Sequence, residues 1–232
     1  MINTSQDYEP PTRARTKAPA THALVAAKMI AAFLGFSALV TEIATLAARH
    51  RFNADDFFSY FTVESNTLAV ISLVLSGFAT ATGFTSRALD YFRGAVTLYM
   101  TTTILIFIVL LSGYPSSELT AVPWDNTVLH YLMPIFIIID WLIAPPRGAF
   151  SYRSALVWLA FPLAYLGYSL IRGHFVHWYP YPFMDPSHRG YLALVITAAV
   201  IAVILAAITW GIATAPRWTI PLVRGRVDAP RT

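Results

Sequence analysis

Six long apolar stretches constrain the fold of this chain more than any other feature of its sequence. Each supplies the roughly 20 residues that an α-helix needs to cross a bilayer. Charged residues make up 12% of the chain and hydrophobic residues 56%, whereas soluble domains are about 25% charged. The sequence therefore predicts an all-α integral membrane protein, a bundle of six transmembrane helices. The predicted spans cover about residues 23–47, 57–83, 91–113, 124–144, 154–172 and 190–213.

The distribution of Lys and Arg predicts how this bundle lies in the membrane. If both termini are cytoplasmic, twelve of these residues fall on the cytoplasmic side and four on the other, which agrees with the positive-inside rule. The chain then divides into a disordered cytoplasmic tail (1–21), a six-helix domain (22–214) and a basic cytoplasmic tail (215–232). Lys28, near the start of the first span, is expected to extend along its helix to the cytoplasmic interface.

The fourth span contains a histidine, His130, that needs polar neighbours at its own depth, because a buried imidazole costs free energy unless the protein satisfies it. At 1.5 Å per residue, His130 lies about 9 Å from Trp124 at the outer end of its span, and Thr62 lies about 7 Å from the outer end of the second. Glu42 of the first span has a similar depth. Asp140 lies about 15 Å deeper than His130 and cannot contact it. The sequence therefore predicts an outer polar layer that contains Thr62, His130 and Glu42.

Helical spacing adds further polar residues to this layer. Asn126 precedes His130 by about one turn, and Ser65 and Asn66 follow Thr62 by about one turn, so each group shares a helix face. The connector before the last span (173–189) is rich in proline, histidine and tyrosine, and its prolines favour extended backbone. Such a segment at membrane depth has to line protein or a cavity. It predicts a lid or pocket mouth above the polar layer.

These residues also have simpler structural interpretations. A threonine in a membrane helix commonly bonds a carbonyl of its own helix or of a neighbouring one, and a buried histidine can serve as a structural hydrogen-bonding residue. The tyrosines and tryptophans of the connector are typical of an interfacial aromatic belt. Four residues of the connector have loose metal-ligand spacing: His174, His177, Asp185 and His188.

Three segments together resemble the family of androgen-induced and androgen-dependent TFPI-regulating proteins, which includes bacterial six-helix relatives. The segments are Tyr60-Phe61-Thr62, then WDNTVLH ending at His130 with Met133-Pro134-Ile135 and Asp140 after it, and WYPYPFMD from Trp178 to Asp185. The similarity covers about residues 25–213. Animal members are described as integral-membrane threonine hydrolases of fatty acid esters of hydroxy fatty acids. The resemblance implies a Thr62 nucleophile and a His130 general base in a multi-pass protein of a bacterial cytoplasmic membrane.

Ester hydrolysis gives the neighbouring polar residues candidate supporting roles. A developing oxyanion needs hydrogen-bond donors, for which the amides of Asn66 and Asn126 are the nearest by spacing. The imidazole needs a group that holds its tautomer, for which Asp125 or Glu42 is the candidate. Ser65 belongs to the same polar stripe as Thr62. No Gly-x-Ser-x-Gly elbow is present, which excludes the common soluble esterase machinery.

The outer rim and the connector supply the candidate substrate contacts. Arg49 or Arg51 is placed to attract a fatty-acid carboxylate. The implied partners are a lipid or fatty-acyl ester and the bilayer, and neither a cofactor nor a resident metal is expected. No phosphate-binding or nucleic-acid motif is present, and the oligomeric state stays open. The predicted substrate-binding residues are Arg51, Tyr179, Tyr181, Phe183 and Asp185.

Three functions are compatible with the sequence. The leading hypothesis is a membrane-embedded hydrolase of lipid esters whose site lies near the outer membrane face. The second is a non-enzymatic binder or transporter of a lipid or small amphiphile that uses the same cavity. The third is a metal-dependent membrane hydrolase built on the histidines and the aspartate of the connector.

Overall fold

The computed structural model describes residues 19–115, 120–146 and 148–215. This part of the chain is helical without strands, and six of its helices are long and apolar enough to cross a membrane. The prediction of an all-α fold with six helices suited to span a membrane is confirmed for these residues. The helices are α1 (Pro19–Ala48), α2 (Phe61–Thr82), α3 (Arg87–Leu111), α4 (Pro123–Ile143), α5 (Tyr152–Val176) and α6 (Pro186–Thr214).

The helix bounds differ from the predicted spans in ways that the chain explains. A separate short helix, Ala54–Phe57, precedes α2, and the Asn53 side chain caps it by accepting the Asp55 N–H at 3.0 Å. The fifth helix continues to Val176, four residues past its predicted end. Residues 19–21, expected in a disordered tail, form the first turn of α1. The rest of that tail (1–18) and nearly all of the C-terminal tail (216–232) lie outside the described residues.

Helix α3 lies at the centre of the bundle, where residues 94–100 are all buried. Val96 and Met100 pack into an apolar cluster with α1, α2 and α4, and Leu98 and Tyr99 pack into a second cluster with α5 and α6. At Gly94 the Trp158 ring of α5 lies so close that an added Cβ would meet it at 2.4 Å. A side chain at this position would therefore push α5 away from α3.

The last two helices are much less buried than the first four. Only 22% of the most apolar part of α5 and 17% of that of α6 is buried inside the protein, against 39–56% for the other four helices. Their outward faces carry large apolar side chains, such as Leu163 at 57% exposure and Leu192 at 74%. Contiguous apolar surface of this kind needs an apolar surrounding, which a bilayer supplies.

Lys28 is buried at the end of the bundle away from His130, so the prediction that it extends to the interface is wrong. Its side chain is 1% exposed, and its Nζ lies 2.5 Å from Asp140 Oδ1 and 3.1 Å from Ser76 Oγ. Arg93 Nη2 lies 3.0 Å from Asp140 Oδ2 and donates to the Ala144 carbonyl at 2.8 Å. The Asp140 carboxylate compensates both cations, which lets the lysine stay inside the protein.

Candidate functional site

Thr62 and His130 meet between α2 and α4, near the end of the bundle where α2 begins. The Thr62 Oγ1 atom lies 3.2 Å from His130 Nε2. Thr62 is 9% exposed and His130 is 4% exposed, yet both line a cavity that opens beside them. A hydroxyl and an imidazole nitrogen at this separation are within reach of direct proton transfer.

The tautomer of His130 follows from the partner of its other ring nitrogen. Nδ1 lies 3.1 Å from the main-chain carbonyl oxygen of Asn126. A carbonyl can only accept a hydrogen bond, so Nδ1 carries the proton and Nε2 presents a lone pair to the Thr62 hydroxyl. The hypothesis that Asp125 or Glu42 orients the imidazole is wrong, because both ring nitrogens already have other partners.

A π turn in α4, Val128–Leu132, carries His130. Here the Met133 N–H bonds the Val128 carbonyl, five residues back instead of four. In that register the next N–H would serve the Leu129 carbonyl, but residue 134 is a proline and has no N–H. One carbonyl of the helix that carries the histidine therefore needs a donor from outside.

Asn66 supplies that donor. Its side-chain Nδ2 donates to the Leu129 carbonyl at 3.0 Å and to the Thr62 carbonyl at 2.9 Å. Both amide hydrogens are thus engaged by main-chain carbonyls, so the expectation that Asn66 donates to an oxyanion is wrong. The amide instead ties the backbone beside the nucleophilic hydroxyl to the backbone beside the histidine.

Phe107 covers the imidazole on the α3 side and was missed by the sequence interpretation. Its ring stacks on the His130 ring with the centroids 4.3 Å apart and an interplanar angle of 26°. Phe107 begins a second π turn, Phe107–Leu111. The stacked ring fixes the plane of the imidazole and keeps one of its faces dry. No signal in an apolar stretch of sequence distinguishes a π turn from ordinary helix.

Two tyrosine hydroxyls bind the free N–H groups at the start of α2. The side chain of the N-cap residue, Tyr60, makes no capping hydrogen bond, and the first N–H groups of a helix lack partners within the helix. The Tyr165 hydroxyl lies 3.3 Å from the Phe61 nitrogen, and the Tyr181 hydroxyl lies 3.3 Å from the Thr62 nitrogen. These contacts place the Thr62 side chain at the positive end of the helix dipole.

Tyr181 also touches the threonine side chain, which makes it more than a substrate contact. Its hydroxyl lies 3.3 Å from Thr62 Oγ1. Because this hydroxyl accepts the Thr62 N–H, its own hydrogen is free to point at Oγ1. Burial raises the pKa of Tyr181 to about 12, so the phenol stays a neutral donor at ordinary pH.

Ser65 and Asn126 support the backbone around the pair. The Ser65 hydroxyl lies 2.9 Å from the Thr103 hydroxyl and donates to the Thr62 carbonyl at 3.2 Å, which ties α2 to α3. Ser65 is fully buried. Asn126 acts through its main-chain carbonyl, and its side-chain oxygen is buried with no donor to it among the described residues.

Glu42 and Asp125 form a carboxyl pair beside the site. Both Glu42 oxygens accept the Ala121 N–H, at 2.8 and 2.9 Å, and the Glu42 carboxyl is within hydrogen-bonding reach of the Asp125 carboxyl. Asp125 is 0% exposed, and within the described chain no N–H or O–H donor serves either of its oxygens. Two buried carboxylates in contact repel each other, so a hydrogen-bond donor at residue 125 would suit the Glu42 carboxyl better than a second carboxyl does.

Replacing Asp125 by asparagine is therefore expected to leave thermal stability unchanged or to raise it, because the amide removes the repulsion and can donate an N–H to the Glu42 carboxyl. Asp125→Ala is expected to lower the free energy of unfolding by about 1–3 kcal/mol relative to Asp125→Asn, since alanine offers the Glu42 carboxyl no donor. Thermal unfolding of both variants in detergent measures the difference. Equal stability of the two variants would show that a donor at residue 125 does not serve the Glu42 carboxyl.

A polar cavity of about 580 Å³ opens above Thr62 and His130. The exposed side chain of Arg51 lies at its rim, Tyr179 and Asp185 line the side formed by the connector, and Tyr181 lies at its base next to Thr62. Asp185 also caps α6 by accepting the Ser187 N–H at 2.8 Å. Of the predicted substrate-binding residues, Phe183 alone lies outside this cavity, and it stacks on Tyr181 with the ring centroids 5.3 Å apart.

The connector is attached to the rest of the bundle by aromatic and ionic contacts. Tyr60 makes edge contacts with Trp178 and Tyr181, with ring centroids 5.6 and 5.8 Å apart. The Arg172 guanidinium lies 2.6 Å from Asp56 Oδ1 and 4.8 Å from the centroid of the Trp178 ring. These contacts hold residues 178–182 as one wall of the polar cavity.

The connector histidines do not form a metal centre in the part of the chain that the structure describes. His174 and His177 are exposed on the surface, and nowhere among the described residues do three His, Cys, Asp or Glu side chains come together as metal ligands. The side chain of His188 lies outside the described part. The described residues therefore give the metal-dependent alternative no geometric support.

Comparison with known protein families, with curated proteins and with solved structures finds no match to this chain. The resemblance to the androgen-induced family therefore stays a prediction that is based on the three segments quoted above. What the chain does has to be argued from the geometry around Thr62 and His130.

Proposed function

We propose that the protein is a membrane-embedded hydrolase of lipid esters, with Thr62 as its nucleophile and His130 as its general base. The observation that carries this proposal is the 3.2 Å separation of Thr62 Oγ1 and His130 Nε2 at the base of a cavity. Fatty acid esters of hydroxy fatty acids, or similar long-chain esters, are the proposed substrates. The charge distribution favours an outward-facing site, and the resemblance to the androgen-induced family favours a bacterial cytoplasmic membrane.

The hydrogen-bond directions favour attack by the threonine. With the Nδ1 proton donated to the Asn126 carbonyl, Nε2 is ready to take the Thr62 hydroxyl proton. As Oγ1 forms a bond to the acyl carbon, that proton moves to Nε2, and the carbonyl oxygen becomes an oxyanion. Donors that are in place before the attack stabilise this charge most.

Tyr181 is the proposed donor to the oxyanion. Its neutral hydroxyl lies beside the nucleophilic oxygen, so a small rotation of the O–H bond directs the hydrogen to a carbonyl oxygen bound there. The positive end of the α2 dipole acts in the same direction. This assignment replaces the amides of Asn66 and Asn126.

The remaining steps return the enzyme to its starting state. His130 gives its new proton to the departing alkoxide as the C–O bond breaks, which leaves the acyl group on Thr62. Water then attacks this acyl ester while Nε2 takes a proton from the water. That proton returns to Thr62 Oγ1 when the fatty acid leaves, so each turnover consumes one ester and one water.

Hydrolysis and covalent labelling together test the proposal. The purified protein is incubated with a long-chain fatty ester, and released fatty acid is quantified. A fluorophosphonate probe is applied in parallel, and the labelled residue is identified by mass spectrometry. We expect turnover and a label on Thr62. Two buried serines nearby, Ser59 and Ser65, are the internal comparison.

A label on either serine, or on no residue with no turnover of any ester, would contradict the assignment. Thr62→Ser should keep turnover, because it keeps the hydroxyl beside His130. Binding of a long-chain ester to the wild-type protein without release of product would favour the non-enzymatic binder.

A further inference from the structure

A second and narrower space, a crevice of about 100 Å³, meets the polar cavity at Thr62. Thr62, Leu111 and Tyr181 line both spaces. From there the crevice runs between α3, α5 and α6, below Phe183 of the connector. The Thr62 hydroxyl therefore lies at the junction of a polar space and a space inside the membrane-spanning region.

The walls of the crevice are apolar. Two threonines of α3, Thr102 and Thr103, line it, but their hydroxyls donate to the carbonyls of their own helix at 2.8 and 3.0 Å. Both hydroxyls thus already have partners inside the protein, and that of Thr103 also contacts the Ser65 hydroxyl of α2 at 2.9 Å. A polar ligand group in the crevice would lose its hydration without gaining equal partners. The aliphatic wall residues on α5 and α6 include Leu163, Leu166, Ala198 and Ile201.

The two helices that form the outer walls contact each other mainly at one end. Residues 152–159 of α5 pack against α6, whereas the backbone of residues 160–176 hardly approaches it, and these are the least buried of the six helices. Leu163 lines the crevice and is also 57% exposed. The crevice is therefore continuous with the surface that faces the hydrocarbon of the bilayer.

We propose that this crevice binds one alkyl chain of an amphiphile, and that the chain reaches it from the bilayer through the gap between α5 and α6. The chain is extracted from one hydrocarbon phase into another, so it never crosses water. Its polar end then lies at Thr62, at the base of the polar cavity. The inference rests on the proposed function only for the reaction at the polar end of the amphiphile, because the crevice can bind the alkyl chain without turnover.

A photoreactive fatty acid tests the site directly. The full-length protein in phosphatidylcholine vesicles is irradiated with palmitic acid that carries a diazirine near the end of its chain, and cross-linked residues are mapped by mass spectrometry. We expect cross-links on the facing walls, at Leu163 and Leu166 of α5 and at Ala198 and Ile201 of α6.

Ala198→Phe fills the crevice from α6, and Ala199→Phe is the matched control. Ala198 lines the crevice, whereas Ala199 is the exposed next residue and does not. Each methylene group displaced from an apolar site costs a factor of about four in affinity. If the Ala198→Phe side chain displaces two methylene groups of the bound alkyl chain, labelling should fall about fifteenfold. The Ala199→Phe variant should be labelled as strongly as the wild type. Leu166→Trp, which narrows the crevice from α5, should repeat the loss if Ala198→Phe does not fold.

Equal labelling of Ala198→Phe and Ala199→Phe, or cross-links confined to the outward faces of the helices, would overturn the proposal. The hydrolase proposal fails separately. If labelling depends on Ala198 but Thr62→Ala still hydrolyses esters, the chain site stands and the nucleophile is wrong. If Thr62→Ala abolishes turnover while Ala198→Phe changes neither labelling nor turnover of a long-chain ester, the hydrolase stands and the chain site is wrong.

Discussion

Replacing His130 by alanine is expected to lower kcat for a long-chain ester by a factor of ~10²–10⁴, the usual contribution of a positioned general base. KM should change little, because the imidazole is 4% exposed and offers little surface to a bound substrate. Release of fatty acid at saturating ester measures the effect. Thermal unfolding has to accompany it, since the Phe107 ring stacks on the imidazole.

The double variant Thr62→Ala/His130→Ala separates a catalytic pair from two independent contacts. Residues that act as one unit lose most of the rate at the first substitution, so the double variant should be no slower than Thr62→Ala alone. His174→Ala is the matched control, because His174 is exposed and lines neither the polar cavity nor the crevice. Multiplied losses in the double variant would mean that Thr62 and His130 do not act together.

The sequence was sufficient to bring these two residues together because depth along a membrane helix is a simple function of residue number. Six apolar stretches give six spans, and the rise per residue places Thr62 and His130 in one layer. The same arithmetic separates Asp140 from His130, and in the structure Asp140 is paired with Lys28 and Arg93 instead.

The partners of His130 could not be predicted because they depend on local departures from ideal helix. An ideal α4 does not predict the π turn, the free Leu129 carbonyl beside Pro134 or the reach of Asn66 to that carbonyl. A carboxylate is the usual partner of a catalytic histidine, and by that analogy the sequence predicts Asp125 or Glu42 as the partner of His130, which is wrong. In this protein the main-chain carbonyl of Asn126 orients the imidazole instead.

Contacts between residues far apart in the sequence also could not be predicted from the sequence. The position of the connector above the outer polar layer predicts that Tyr181 contacts the substrate. In the structure its hydroxyl also contacts Thr62, 119 residues earlier in the chain. Lys28 was expected at the interface because a long side chain near a helix end can extend there. No periodicity indicates that a carboxylate from α4 will face it inside the bundle.

Replacing Asp140 by leucine is expected to have the largest effect on stability of any single change considered. It would leave the buried Lys28 without an ion-pair partner among the described residues, and the partly buried Arg93 with only the more distant carboxylate of Asp90, at 3.8 Å. Removing one partner of a buried ion pair costs about 3–5 kcal/mol, because an uncompensated charge remains inside. Equilibrium unfolding in mixed micelles measures the loss. The matched control is Asp56→Leu, which breaks the more exposed pair with Arg172 and should cost at most about 1 kcal/mol.

The two ends of the Lys28–Asp140 pair are not equivalent, and this asymmetry gives the sharper test. Lys28→Met removes one cation but leaves Asp140 bound to Arg93 at 3.0 Å, so no buried charge loses all of its partners. Its loss of stability should therefore be clearly smaller than that of Asp140→Leu. In the double variant Lys28→Met/Asp140→Leu the unpaired lysine is gone, and Arg93 keeps the Ala144 carbonyl and Asp90, so part of the stability lost in Asp140→Leu should return. If Lys28→Met costs as much as Asp140→Leu, the carboxylate depends on the lysine rather than on the arginine, and Arg93 is held mainly by the Ala144 carbonyl.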